Sequence, residues 1–88
     1  MKNINIFGST GIIGSKCLYI AKNYFPNINI NLLVANKNYS KLAKQIQEYK
    51  PNYVCLINDS KYTDIKKIIK NKKVKFINEN ELFDYLKK

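Results

Sequence analysis

The 88-residue sequence contains no histidine, which excludes a transition-metal site built on that residue within this chain. Its two cysteines, Cys17 and Cys55, stand alone without CxxC spacing, so a cysteine-only metal site is not expected either. Both cysteines fall in segments predicted to be buried. That environment favours inert thiols, with a disulfide between the two as the alternative.

Arginine is also absent, although lysines give the chain a formal net charge of +10. Arginine is the preferred residue for reading bases and for bidentate phosphate contacts, whereas lysine neutralises phosphates without reading bases. The wealth of Lys, Asn, Ile and Tyr is typical of coding bias toward A- and T-rich codons. We therefore expect no nucleic-acid partner, and a basic, non-enzymatic binding module remains the alternative interpretation.

Long apolar runs are missing as well, since none approaches the roughly 20 residues that a membrane helix needs. The N-terminus lacks a cleavable signal pattern. We expect no membrane partner and a cytoplasmic location, or a plastid-type organelle in a eukaryote, although no transit peptide is seen. An apolar share of 45% indicates a globular chain, and its length predicts a small core.

Apolar runs of strand type alternate with stretches of helical periodicity along the chain. Strands are predicted at 3–7, 28–35, 53–57 and 74–77, and helices begin near Ile13, Leu42, Tyr62 and Glu81. The first helix is predicted to bury Ile13, Cys17, Ile20, Ala21 and Tyr24, the second Leu42, Ala43, Ile46 and Tyr49, and the last Leu82, Phe83 and Leu86. The βαβαβαβα order predicts an α/β fold, a Rossmann-like parallel sheet with helices on both faces. The second half of a doubly wound fold is missing, so residues 1–88 are expected to form one apparently truncated domain.

Three glycines, three residues apart, lie between the first strand and the first helix. Gly8 would permit a tight turn, Gly11 would let a pyrophosphate approach the backbone, and Gly14 would let the helix pack closely on the strand. The N–H groups around Ser9 to Ile13 are expected to be unpaired at the helix start and to favour an anion, and Ser9 and Thr10 add hydroxyl donors. The pattern predicts a dinucleotide site, with a purely structural tight turn as the alternative.

The end of the second strand indicates which dinucleotide is bound. Sites that prefer NAD usually carry Asp or Glu there, to bond the ribose hydroxyls. This chain has Asn36, Lys37 and Asn38 instead. A lysine attracts a 2′-phosphate and Asn can donate to it, so the sequence favours NADP(H), unless Lys37 is simply solvated.

Three motifs in order carry a family resemblance: GSTGIIG (8–14), VANKN (34–38) and KQIQEYKPNYVCL (44–56). Together they resemble the N-terminal region of the 1-deoxy-D-xylulose 5-phosphate reductoisomerase family. The resemblance implies NADPH-dependent rearrangement and reduction of 1-deoxy-D-xylulose 5-phosphate to 2-C-methyl-D-erythritol 4-phosphate in the non-mevalonate isoprenoid pathway. Another GxTGxxG oxidoreductase, similar to semialdehyde dehydrogenases, is the alternative.

The predicted cofactor-binding residues come from the glycine turn and from the segment after the second strand. They are Gly8, Ser9, Thr10, Gly11, Ile12, Ile13, Gly14, Asn36, Lys37 and Asn38. Two of them depart from the family pattern. Ile12 stands where the family usually has Ser, which removes a hydroxyl contact, and Asn36 stands where it usually has Gly.

The resemblance also implies parts that this chain does not contain. In the family, the ligands of a divalent metal (Mg or Mn) and the sugar-phosphate substrate site lie downstream of the region seen here, and the full-length protein is expected to be a homodimer. The six acidic residues of this chain are predicted to be solvated or to cap helices. We expect no catalytic or metal-binding residue in it, weak binding of NADPH, and no catalysis by the chain alone.

Overall fold

The computed structural model describes residues 2–36, 38–57, 65, 67, 69 and 73–86. Within these residues the strands are β1 (Lys2–Phe7), β2 (Ile28–Ala35), β3 (Tyr53–Leu56) and β4 (Lys75–Ile77), and the helices are α1 (Ile12–Tyr24), α2 (Tyr39–Tyr49) and α3 (Glu79–Leu86). The helix predicted near 62–69 lies mostly outside the described residues, although Ile65 is buried in the core. No helix of the described ranges is long and apolar enough to cross a membrane.

The strands form one parallel sheet in the order β1-β2-β3-β4. Parallel neighbours need crossover connections, and α1 and α2 lie in the first two of them. Phe7 pairs with Val34, and Val34 pairs with Cys55, so the carboxyl ends of the first three strands lie side by side. The predicted α/β class and parallel sheet are confirmed. The strand order, with β1 at one edge of the described sheet, had not been predicted.

Alternate strand residues contribute to two cores. The larger core holds Leu18, Ala21, Ile30, Leu33, Ala35, Leu42, Ala43, Ile46, Val54, Leu56, Ile65 and Val74, and the smaller holds Leu32, Val34, Cys55, Ile77 and Leu82. Helices α1 and α2 pack on the first and α3 on the second, which confirms helices on both faces. Strand β3 contributes Val54 to one core and Cys55 to the other, as a strand buried on both faces must.

Helix α1 has the predicted extent, but it buries a different face. Its buried residues are Gly14, Leu18 and Ala21. Of the residues predicted to be buried, Ala21 is buried. The others are exposed: Ile13 by 77%, Tyr24 by 68%, Ile20 by 46%, and Cys17 as well. The periodicity was misleading because apolar residues occupy most of the circumference of this helix. Close packing of Gly14 against the turn that precedes the helix selects the face instead.

Helices α2 and α3 begin at asparagine caps. The Asn38 side chain accepts a hydrogen bond from the Lys41 N–H (3.2 Å). Before α3, Asn78 and Glu81 form a reciprocal capping box, each side chain accepting from the other residue's backbone N–H (2.8 and 3.1 Å). The capping role predicted for the acidic residues is confirmed at Glu81.

The predicted buried stripes hold for most of α2 and only in part for α3. Helix α2 buries Leu42, Ala43 and Ile46, as expected, whereas Tyr49 is half-buried. In α3, Leu82 is buried, but Phe83 and Leu86 are 60% and 47% exposed, so the prediction was wrong for both. A helix of eight residues that packs on one sheet face turns only a narrow stripe toward it.

Asparagine side chains link β1, β2 and the residue that precedes β3, near the amino end of the sheet. Asn29 donates to Asn3 (2.8 Å), Asn31 to Asn5 (3.3 Å), and Asn52 to Asn31 (3.0 Å), through their side-chain amides. Asn31 is only 6% exposed, and the β1–β2 register shifts beside it. This ladder gives polar side chains within the sheet the hydrogen-bond partners that burial requires.

Candidate dinucleotide-binding turn

The chain reverses tightly between β1 and α1. Gly8 has a φ of 69°, a left-handed conformation that glycine adopts without strain. The N–H groups of Gly8 and Ser9 both donate to the Val34 carbonyl (2.8 and 3.1 Å), and the Gly11 N–H donates to the Gly8 carbonyl (3.0 Å). The turn is therefore hydrogen-bonded to the carboxyl end of β2 as well as to itself.

Gly14 and Gly11 lie against the backbone of this turn. A Cβ atom at Gly14 would overlap the Gly8 carbonyl oxygen and would come within 2.8 Å of the Gly8 carbonyl carbon and 2.9 Å of the Ser9 Cα. The close packing predicted for this glycine is confirmed. A Cβ at Gly11 would lie 3.3 Å from the Gly8 carbonyl oxygen, and Gly11 is exposed, so its backbone is open to approach from outside.

The first turn of α1 leaves N–H groups available. Gly11 is the N-cap residue and provides no side-chain cap, and the Ile12 and Ile13 N–H groups donate to no other described residue. The Ser15 hydroxyl, one turn later, shares its single hydrogen between the Gly11 carbonyl (2.6 Å) and the Ser9 carbonyl (3.1 Å). Exposed N–H groups at a helix N-terminus, together with the helix dipole, attract an anion.

A groove of about 560 Å³ runs along the turn. It is lined by Ile6, Phe7, Gly8, Gly11, Ile12, Ile13, Gly14 and Cys17. The Ile12 side chain is 77% exposed, so the residue that replaces the family's usual serine contributes apolar surface. The groove thus combines backbone N–H donors with an apolar wall.

The second predicted segment follows β2, the strand to which the turn is hydrogen-bonded. Asn36 and Asn38 are both exposed, and the Asn38 side chain caps α2. Among the described non-glycine residues, positive φ occurs only at Lys50, so Asn36 is not in a left-handed conformation where the family usually has glycine. Lys37 lies outside the described residues.

Ser9 differs from its predicted role. Its side chain is completely buried, so the hydroxyl does not face the groove and cannot contact a ligand there. The expectation that its backbone N–H is unpaired is also corrected, because that group donates to Val34. Thr10 is half-buried.

Sequence reasoning missed Gln45 of α2, which is 6% exposed. Its amide nitrogen donates to the Ser9 carbonyl at 2.7 Å. A signal was present, because Leu42, Gln45, Ile46 and Tyr49 follow the i, i+3, i+4, i+7 spacing of a buried stripe. A polar residue in such a stripe indicates a buried hydrogen bond.

The two cysteines lie in different environments, Cys17 exposed and Cys55 buried. Burial, followed by the charges of Glu79 and Glu81, raises the pKa of the Cys55 thiol, which disfavours the reactive thiolate. Both cysteines are free thiols. The described part of the chain contains no group of three or more His, Cys, Asp or Glu residues that could hold a metal ion.

A parallel sheet, a glycine turn with open N–H groups at the following helix, and a second strand that ends beside it define an α/β unit of the doubly wound class with a candidate dinucleotide-binding turn. Residues 4–85 match the family described as 1-deoxy-D-xylulose 5-phosphate reductoisomerase. The chain belongs to that family.

Curated relatives carry the same family name. The chain is 44% identical over 88 residues to 1-deoxy-D-xylulose 5-phosphate reductoisomerase of Pelagibacter ubique, with all of this chain and 22% of that protein aligned. It is 39% identical over 72 residues to the apicoplastic enzyme of Plasmodium falciparum, with 78% of this chain and 15% of the relative aligned. The chain thus spans about a fifth of the length of the relatives it matches.

Solved structures share the fold. The reductoisomerase of Zymomonas mobilis in complex with NADPH superposes with a TM-score of 0.79 at 22% identity, over 88% of this chain and 20% of that chain. A reductoisomerase in complex with NADPH, fosmidomycin and magnesium superposes with a TM-score of 0.79 at 22% identity, over 92% of this chain and 20% of that chain. The agreement extends over nearly the whole of the chain and establishes its fold.

Proposed function

We propose that residues 1–88 form an incomplete N-terminal NADPH-binding domain of a reductoisomerase. The whole protein would convert 1-deoxy-D-xylulose 5-phosphate to 2-C-methyl-D-erythritol 4-phosphate. The observation that carries the proposal is the turn itself, in which Gly11 lacks a side chain beside the open N–H groups of Ile12 and Ile13. A pyrophosphate there would meet donors and no obstructing Cβ.

The chain's own residues would bind and orient the cofactor. The backbone N–H groups that follow Gly11 would donate to the pyrophosphate. The exposed side chain of Ile12 would lie against apolar parts of the cofactor next to the pyrophosphate. Asn36 follows β2 at the same edge of the sheet, so the adenosine end would lie toward it, with Lys37 and Asn38 adjacent. NADPH supplies a hydride when bound, and this chain supplies its position.

The preference for NADPH over NADH is tested by Lys37→Ala. Loss of a charge-assisted bond to the 2′-phosphate should weaken NADPH by about 1–3 kcal/mol and leave NADH nearly unchanged. Lys44→Ala is the matched control, because Lys44 is an exposed lysine on α2. Fluorescence titration with both cofactors measures the difference. Equal weakening of NADPH and NADH would remove the 2′-phosphate role of Lys37.

The pyrophosphate role is tested by Gly11→Val. A branched side chain at this open position would occupy the approach to the backbone, so binding of NADPH and NADH should both be lost. Circular dichroism should confirm that the variant retains its secondary structure. Unchanged affinity in a folded variant would exclude the turn as the binding site.

The finer assignments complete the proposal. We propose a sugar-phosphate substrate and a divalent metal bound outside these residues, a homodimeric full-length protein, and no nucleic-acid or membrane partner. The location would be cytoplasmic, or a plastid-type organelle like that of the apicoplastic relative. Family membership argues against a semialdehyde-dehydrogenase-like enzyme.

Two measurements address these assignments. The intact mass of the native product tests whether these 88 residues are the front of a longer enzyme, since a species several-fold heavier than 10.3 kDa is expected. Salt-sensitive binding to DNA or RNA in mobility-shift assays would instead favour the basic binding module.

A further inference from the structure

Gln45 reaches the glycine turn from a different helix. It lies in the buried stripe of α2 between Leu42 and Ile46, both fully buried. Its Nε2 donates to the Ser9 carbonyl at 2.7 Å, a buried hydrogen bond that joins residues 36 positions apart. Because a carbonyl can only accept, the amide must present its nitrogen to Ser9 and turn its Oε1 away.

The Ser9 peptide is held from three sides. Its N–H donates to Val34 of β2, and its carbonyl accepts from Gln45 of α2 and from the Ser15 hydroxyl of α1 (3.1 Å). Ser9 precedes the N–H groups at the start of α1 by only a few residues. A restraint on its carbonyl therefore restrains the direction of those groups.

Packing alone does not account for a glutamine here. Gln45 Oε1 and the Ser9 hydroxyl are buried, and neither has a hydrogen-bond partner among the described residues. A buried polar group without a partner is unfavourable, and a methionine or leucine would fill the same space without that cost. The contact to the Ser9 carbonyl is what distinguishes glutamine from them.

We propose that Gln45 is a positioning residue for pyrophosphate binding: its amide fixes the Ser9 carbonyl and thereby sets the backbone of the turn at Gly11 to Ile13. The proposal rests on the proposed function, because the ligand is the pyrophosphate of NADPH. It adds a side chain that touches no ligand and acts through the backbone.

The test compares Gln45→Met, which keeps the volume and removes the donor, with Ile46→Val, which trims the neighbouring core residue. Each substitution is made in the full-length native protein. Affinities for NADPH and for adenosine 2′-monophosphate, which lacks the pyrophosphate, are measured together with hydrogen exchange of the Ser9 and Gly11 amides without ligand.

Gln45→Met should weaken NADPH about tenfold, leave adenosine 2′-monophosphate within about twofold, and accelerate exchange of both amides. Ile46→Val should lower stability without changing the ratio of the two affinities. Gln45→Leu, which also lacks the donor, should behave like Gln45→Met. Wild-type NADPH affinity in Gln45→Met, or parallel weakening of both ligands in Gln45→Met and Ile46→Val, would overturn the positioning role.

Failure of the proposed function gives a different result. If the wild-type protein bound no NADPH, the exchange measurement would still decide whether Gln45 fixes the turn. Unchanged exchange of the Ser9 and Gly11 amides in Gln45→Met would overturn the inference on its own.

Discussion

Replacing Gly14 with alanine gives the sharpest test of how closely α1 packs on the turn that precedes it. The new Cβ would overlap the Gly8 carbonyl oxygen and would lie 2.8 and 2.9 Å from two further backbone atoms, the Gly8 carbonyl carbon and the Ser9 Cα. Both residues are tied to Val34 by hydrogen bonds, so they cannot withdraw without breaking them. Helix α1 must move away from the sheet instead.

The magnitude follows from two opposing effects. Overpacking typically costs about 1–3 kcal/mol, and displacement of α1 would also loosen the buried contacts of Leu18. Alanine gains up to about 1 kcal/mol over glycine within a helix. We expect Gly14→Ala to lower the free energy of unfolding by about 1–2 kcal/mol, or Tm by roughly 4–16 °C for a domain of this size.

Urea unfolding followed by circular dichroism measures this change, and Gly11→Ala is the matched control. At Gly11 the added Cβ would lie 3.3 Å from the Gly8 carbonyl oxygen, where a small adjustment suffices. Gly11 is also the N-cap, a position where glycine is preferred over alanine, so Gly11→Ala should lower the free energy of unfolding by only about 0.5 kcal/mol. If Gly14→Ala instead stabilised the protein by its helix propensity, the close packing of α1 on the turn would be refuted.

Three further predictions test the cores and the cysteines. Iodoacetamide should label the exposed Cys17 in the native protein, and should label the buried Cys55, whose pKa is raised by burial, only on unfolding. Mass spectrometry of the labelled peptides measures the order, and labelling of Cys55 before Cys17 would contradict the burial of Cys55. In urea unfolding, Leu18→Ala should lower the free energy of unfolding by about 2–5 kcal/mol and Ile13→Ala by less than about 0.5 kcal/mol. Similar losses in the two variants would indicate that α1 buries the face predicted from its periodicity. Asn31→Ala should cost about 1–3 kcal/mol by thermal unfolding, because it removes the residue that joins two steps of the asparagine ladder, and a neutral result would mean that the ladder adds nothing.

Local patterns predicted the elements of this fold well, because each depends on short stretches of chain. The ININLLVA run coincides with β2, and Pro26 and Pro51 follow the ends of the first two helices. The roles of Gly8 and Gly14 could also be predicted, since glycine adopts the positive φ of one without strain and its missing Cβ allows the backbone contact of the other.

Features that depend on distant contacts could not be predicted. The buried face of α1 is selected by the contact of Gly14 with the Gly8 carbonyl. The sequence of α1 does not indicate this face, because apolar residues lie on most sides of the helix. The burial of Ser9 depends on Val34 and Gln45, which are far away in sequence. Strand order likewise depends on pairing between elements, and one strand-and-helix alternation is compatible with several orders.

The order of the strands bears on how the chain assembles. Each described strand pairs with the one before it in sequence, so an emerging chain can add each strand to the edge that its predecessor left. The described hydrogen bonds of the turn are all made within residues 8–45, through Val34 on one side and α2 on the other. The backbone of the candidate dinucleotide-binding turn therefore takes its shape without a direct hydrogen bond from β3 or β4.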